Sequence, residues 1–222
     1  MSAPDAEVPT SRGAAAGRIL AIGLLRTLWS VRVEGAANVP DDGPVILAPN
    51  HTGFIDAPLL MASSPRPVHT LAKRELFRGP LGLLLRAVGQ IPLDRDDPGR
   101  SLIKAGIGVL DEGRVLVVFP EGTRGAGDFS ELRTGLAWFA LRSGAPVVPV
   151  VFSGTGARGR TLGAMPGLRS RLDVVFGKPV YLPAGGGRTR AALDAATEQL
   201  REALVAHWKA VAASRPEEYP GE

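Results

Sequence analysis

The chain has no cysteine. That excludes disulfide scaffolds, cysteine-ligated zinc, iron–sulfur clusters and thiol nucleophiles. Histidine is scarce: His51, His69 and His207 are the only three, and none stands in the H-E-x-x-H pattern of a zinc hydrolase. No uninterrupted apolar run approaches the roughly 18 residues that a membrane-spanning helix needs. Aromatic residues are 5% of the chain, and no basic run is interleaved with them. Nucleic acid is therefore a poor partner. No G-x-S-x-G occurs, which disfavours a serine hydrolase elbow.

What remains is an ordinary globular composition, 45% apolar and 22% charged over 222 residues. At about 150 residues per domain this length predicts one domain with a small extension. The net charge is +4. Lys73, Lys104, Lys178 and Lys209 are the only lysines, so nearly all of the 26 basic residues are arginine. Arginine grips phosphate or carboxylate with a planar fork. Phosphate-bearing small molecules and anionic lipid surfaces both fit.

Residues 1–12 are polar, carry Pro4 and Pro9, and read as a disordered tail. Residues 13–30 read as an apolar helix interrupted by Arg18 and Arg26, two turns apart. Two readings stand for it: a helix lying in a membrane interface, or an N-terminal helix packed on the core. On the first, removing residues 1–30 leaves a folded domain that associates poorly with membranes. Residues 31–213 form the domain proper, and residues 214–222 read as a polar tail.

Within the domain, strand and helix alternate. Strand candidates are 44–48, 67–72, 88–93, 115–119, 146–152 and 171–176. Helix candidates are 56–63, 80–87, 99–112, 132–143 and 189–212. The strands are apolar on both faces, as helices on both sides of a sheet require. The expected fold is α/β, with a mixed, mostly parallel sheet of about six to seven strands.

Four segments can carry chemistry. Asn50–Asp56 follows a strand and enters a helix, where α/β proteins place their sites. His51 and Asp56, five positions apart, can meet across that turn, so that the carboxylate holds one imidazole nitrogen and the other serves as a base. Phe119-Pro120-Glu121-Gly122-Thr123-Arg124 follows an apolar strand. Gly122 lets backbone approach a ligand, and Arg124 and Thr123 are phosphate donors. Lys73–Phe77 and Gly89–Arg95 could add Lys73 and Arg95 to the same pocket. Each segment alone has a plainer reading: a structural histidine, a turn with an exposed Glu121–Arg124 ion pair, solvated loop charges. Gly154–Gly159 also satisfies G-x-G-x-x-G, a dinucleotide-binding pattern, although Gly163, Pro166 and Gly167 speak against the helix it requires.

Together, the His51-x4-Asp56 pair, Lys73–Phe77, Gly89–Arg95, Phe119–Arg124 and Val148–Val151 resemble the blocks of the glycerolipid acyltransferases, nearest to those that act on 1-acylglycerol-3-phosphate. The likeness runs from about residue 33 to residue 182. It implies acyl transfer from a thioester, acyl-CoA or acyl carrier protein, to a lipid hydroxyl, with no metal and no other cofactor. By the resemblance, His51 is the general base and Asp56 its orienting acid. Arg95, Arg124 and Lys73 hold the acceptor phosphate, with Thr123 beside them, and Glu121 and Gly122 shape that site. Gly53 stands where the family commonly has serine. The resemblance also implies a lysophospholipid acceptor, phospholipid biosynthesis, and a peripheral or monotopic place on the cytoplasmic face of the cell membrane. The alternatives are another lysolipid or a non-glycerol acceptor, and, in a different class, a non-catalytic lipid-binding module.

Overall fold

The computed structural model describes residues 9–93, 100–122, 127–130, 132–156, 165–183 and 189–215. Seven strands run through it: β1 (Ser30–Glu34), β2 (Val45–Pro49), β3 (Val68–Lys73), β4 (Ile91–Leu93), β5 (Val115–Val117), β6 (Val147–Ser153) and β7 (Arg171–Phe176). They form one sheet in the order β1-β7-β6-β2-β5-β3-β4. Every pairing is parallel except β6 with β7. This is the mixed, mostly parallel sheet expected.

Side chains alternate across a strand, and here both faces are apolar. Ile46, Leu116 and Val147 enter one core layer. Val45, Leu47, Val115, Val117, Val148 and Val150 enter the other. The first layer is closed by α4 (Arg100–Asp111), α5 (Gly135–Ser143) and α6 (Arg190–Ala213), the second by α1 (Ser11–Leu28) and α2 (Asp56–Ser63). A further helix, α3 (Gly79–Ala87), follows a 3-10 turn over Arg74–Phe77. Because β6, β2, β5 and β3 are mutually parallel, their C-terminal ends share one edge of the sheet.

Several boundaries differ from the sequence reading for identifiable reasons. β1 was not among the strand candidates; it is a sheet-edge strand whose Val31 and Val33 alternate with Arg32. Candidate 88–93 shortens to three residues. Gly89 takes a left-handed turn (φ 74°), and the Gln90 side chain, not its backbone, accepts the Thr70 N–H at 3.0 Å. The first helix starts at Ser11, capped by the Thr10 hydroxyl, so Ser11 and Arg12 belong to it rather than to a tail. Residues 1–8 of that expected tail lie outside the described residues, as do 216–222 at the other end. Arg215, also read as tail, binds Glu34 at 2.7 Å and the buried Asp173 at 3.3 Å.

The first helix packs on the core along one side. Ala14, Gly17, Ala21 and Leu25 are buried, and Trp29 beyond it donates from Nε1 to the Gly167 carbonyl at 2.9 Å. Arg18 turns inward to the Ser64 carbonyl at the end of α2. Removing residues 1–30 therefore takes Leu25 and Trp29 out of a core layer, and a freely separable anchor is not what the packing shows. Ile19, Leu20 and Leu24 are exposed.

His69 is buried inside β3, and its Nδ1 donates to the Gly89 carbonyl at 2.8 Å. His207 on α6 turns toward the sheet. Its ring packs on Gly177, and Nε2 lies 3.1 Å from the Val175 carbonyl. Burial lowers the pKa of both below the ordinary 6.5, outweighing the opposing carbonyl bonds. A base whose folded pKa is depressed stabilises the fold above the unfolded value, and that stability is lost as pH falls through the folded value. The urea midpoint should therefore carry a loss below about pH 6.5 that His69→Gln reduces. An unchanged pH slope in the variant would contradict a buried neutral His69.

Candidate active site

The site begins where β2 ends. Asn50 is fully buried; its Oδ1 accepts the Phe152 N–H at 2.8 Å, and its Nδ2 faces the Phe152 carbonyl at 3.4 Å. The side chain thus extends the β2–β6 ladder by one rung and fixes where the next residue leaves the sheet. That residue is His51. Asp56, the first residue of α2, is fully buried, and its Oδ2 lies 2.9 Å from His51 Nδ1. The same oxygen accepts the backbone N–H groups of Thr52 and Gly53, both at 2.8 Å. A carboxylate only accepts hydrogen bonds, so neutral His51 carries its proton on Nδ1 and leaves a lone pair on Nε2. The His51 side chain keeps about a fifth of its surface open. The Phe119 ring lies against it, centroids 4.3 Å apart.

Gly53 has a reason of its own. A Cβ there would collide with the Thr155 carbonyl at the end of β6. Thr155 in turn meets Thr52 hydroxyl to hydroxyl at 3.0 Å. The turn between β2 and α2 is thus clamped to the end of β6 through backbone proximity and a pair of threonines.

On the other side, Phe119–Gly122 leaves β5. Gly122 is left-handed (φ 69°), and a Cβ would press on Arg133 Nε at 2.6 Å. Glu121 is half-buried, and one of its carboxyl oxygens has no hydrogen-bond partner among the described residues. Burial pushes the Glu121 pKa from 4.5 up to about 7; Asp128 and Asp56 add to the rise, while the Phe129 and Gly127 N–H groups oppose it. Phe129 anchors this segment: its ring is fully buried although its backbone is left-handed (φ 60°). Such a conformation costs on the order of 1–3 kcal/mol, which burial of a phenyl ring offsets.

Between these two loops opens a cavity of about 810 Å³. His51, Phe119 and Gly122 line it, with Lys73 from the end of β3 and Arg133 near the start of α5. The remaining lining is mostly apolar and includes Leu71, Leu76, Ile103, Leu136, Trp138, Phe139 and Leu193. The structure thus brings His51, Asp56, Lys73, Glu121 and Gly122 to one edge of the sheet. Arg95, Thr123 and Arg124 lie outside the described residues. Sequence reasoning missed Asn50 as a clamp and Arg133 as a wall of the cavity. Asn50 stood in plain view beside His51; nothing in the spacing singled out Arg133.

The arrangement can be set against known proteins. Residues 30–153 match the model of the acyltransferase family. The chain belongs to the acyltransferase family. It is 31% identical over 160 residues to the 1-acyl-sn-glycerol-3-phosphate acyltransferase of Bacillus subtilis, covering 71% of this chain and 77% of that relative. The enzyme of the same name from Streptococcus pneumoniae is 30% identical over 161 residues, 69% of this chain and 58% of that longer protein. Among solved structures, the 1-acyl-sn-glycerophosphate (LPA) acyltransferase PlsC of Thermotoga maritima superposes with a TM-score of 0.62 at 26% identity, over 90% of this chain and 79% of its own.

The dinucleotide pattern fails on topology. A Rossmann turn lies inside a βαβ unit with parallel strands, whereas the strand after Gly154–Gly156 is β7, antiparallel to β6. Residues 157–164 of that loop lie outside the described residues.

Two tests follow from this geometry. Gly53→Ser should push the Thr155 carbonyl away and cost about 1–3 kcal/mol of stability, as forced insertions into packed sites do; a wild-type urea midpoint would count against the clamp. Glu121 has its folded pKa raised, so its contribution is present below pH 4.5 and lost as pH rises through about 7. Glu121→Gln should lack that loss. Parallel stability–pH curves for the two proteins would refute it.

Proposed function

We propose that this acyltransferase moves an acyl group from a thioester, acyl-CoA or an acyl carrier protein, to the free hydroxyl of 1-acylglycerol-3-phosphate, giving phosphatidic acid for phospholipid biosynthesis. The carrying observation is the His51–Asp56 pair facing an apolar cavity that also holds Lys73. The names of the relatives support the acceptor.

In this reading His51 Nε2 takes the proton from the acceptor hydroxyl as the oxygen attacks the thioester carbonyl carbon. The C–O bond forms and the C–S bond breaks. The thiolate leaves and receives the proton from the imidazolium. Asp56 holds the ring and stabilises its charged form; the two backbone N–H groups on the same oxygen fix the carboxylate so that this costs little reorganisation. Such a base contributes roughly 10²–10⁴-fold. Placing hydroxyl and thioester together can lower the barrier by about 7–11 kcal/mol. Lys73 supplies a point charge for the acceptor phosphate, and Arg124 and Arg95 are assigned the same work by the family likeness, with Thr123 as a neutral donor. The apolar lining suits fatty chains. Acceptor and product are both membrane lipids, so the protein works at a membrane surface; the family likeness assigns it the cytoplasmic face. Among the described residues no helix is long and apolar enough to cross a membrane, and binding of a peripheral or monotopic kind fits.

The test is turnover by purified protein. It would be offered labelled acyl-CoA and acyl carrier protein, with 1-acylglycerol-3-phosphate, other lysolipids or no acceptor. His51→Ala should lower kcat by about 10²–10⁴. Lys73→Ala should raise KM for phosphorylated acceptors more than for neutral ones. Product from a neutral lysolipid alone would overturn the acceptor, and no turnover with any pair would overturn the enzyme in favour of a lipid-binding module.

A further inference from the structure

The helix α3 is built against the ordinary rule. Its nine residues are GPLGLLLRA, yet Gly82 is the only buried one. Leu81, Leu83 and Leu84 are 48%, 72% and 46% exposed. Scattered exposed leucines need no explanation, but a contiguous apolar surface does.

This surface continues in two directions. Towards α1, Gly13 and Gly17 let that helix close on the end of α3, where a Cβ at Gly17 would meet Val88 at 2.7 Å. Residues 13, 17, 20 and 24 fall on one helical face at about 100° per residue. The exposed Leu20 and Leu24 therefore prolong the α1–α3 seam into solvent. Towards the cavity, α3 sits directly on the Arg74–Phe77 turn, because a Cβ at Gly82 would collide with the Phe77 backbone. Leu76 in that turn lines the cavity and is itself exposed, as is Phe54, which also lines it. The apolar surface thus runs into the mouth of the site.

Its flanks are cationic. From residue 73 to residue 86 the charged residues are Lys73, Arg74, Arg78 and Arg86 against Glu75 alone, and all five are exposed. Arg86 lies over the Phe77 ring, 5.4 Å from its centre. Leucines framed by arginines match an interface in which apolar side chains enter acyl chains and cations meet headgroup phosphates.

We propose that α3, with the Leu20–Leu24 end of the seam, docks the protein on an anionic phospholipid bilayer, so that a lipid acceptor passes from the bilayer into the cavity that Phe54 and Leu76 help to line. The part about acceptor passage rests on the function proposed above; the docking does not. Charge complementarity and continuity with the cavity mouth select a bilayer over a second copy of the chain.

The experiment uses the full chain and vesicles of phosphatidylcholine, alone or mixed with phosphatidylglycerol. Binding is read by co-sedimentation, and folding by circular dichroism. Wild type should favour the mixed vesicles. The triple variant Leu81→Ser, Leu83→Ser, Leu84→Ser should bind them at least about tenfold more weakly. Its kcat/KM on vesicle-embedded acceptor should fall in step, while that on a soluble short-chain acceptor stays unchanged. Arg78→Glu with Arg86→Glu, which leaves the leucines in place, should abolish the preference for phosphatidylglycerol. Undiminished vesicle binding by the folded triple variant would overturn the docking surface. So would light scattering that shows a wild-type dimer dissolved by the same substitutions, since the face would then join two copies. Absence of turnover on the soluble acceptor in wild type would sink the acyltransferase reading and leave the binding result to be judged by itself.

Discussion

One buried carboxylate oxygen organises the site. Asp56 Oδ2 accepts from His51 Nδ1 and from the backbone N–H groups of Thr52 and Gly53. Three donors on one oxygen repay part of the cost of burying the charge. They also convert a flexible five-residue turn into a fixed one, because moving any donor leaves a buried anion short of a partner. The orientation of the imidazole, its tautomer and the entry angle of α2 are consequences of that single acceptor.

The frame around this oxygen comes from the sheet. Parallel pairing of β6, β2, β5 and β3 gathers four strand ends at one edge, so residues distant in sequence become neighbours. β2 delivers His51, β5 delivers Phe119 to Gly122, β3 delivers Lys73, and β6 delivers Thr155 as a brace. The clamps are polar and local: the Asn50 amide on Phe152, and Thr52 on Thr155. Between the strand ends the structure leaves space, and that space is largely apolar. His51 and Lys73 both line this space, and its largely apolar remainder fits the lipid acylation proposed above.

The same logic extends outward. Glycines at residues 13, 17 and 82 remove the side chains that would separate α1, α3 and the turn before α3. The leucines beside them are then pushed to the surface instead of the core. Close packing beneath and apolar exposure above are two sides of one arrangement, and the arrangement borders the cavity mouth.

Much of this was legible in the chain. Double-faced apolar strands dictated helices on both sides of a sheet, and most elements lie within three residues of their expected bounds. The spacing of His51 and Asp56 allowed them to meet across the turn, and only the grouped blocks, by their likeness to the family, made that pairing an expectation. What the sequence by itself determined was therefore local: periodicity, caps, turns and the chemistry of a few short segments. Only the tertiary structure decided the rest. It made β7 antiparallel to β6, which removed the nucleotide-binding reading of the glycine-rich loop. It buried one side of the first helix, gave Gly53 its carbonyl neighbour, and placed Arg133 and Lys73 in one cavity. These outcomes depend on contacts between residues far apart in the chain. Side-chain type and local spacing constrain such contacts only weakly, because the free energy that selects them comes from burial and close approach across the sheet.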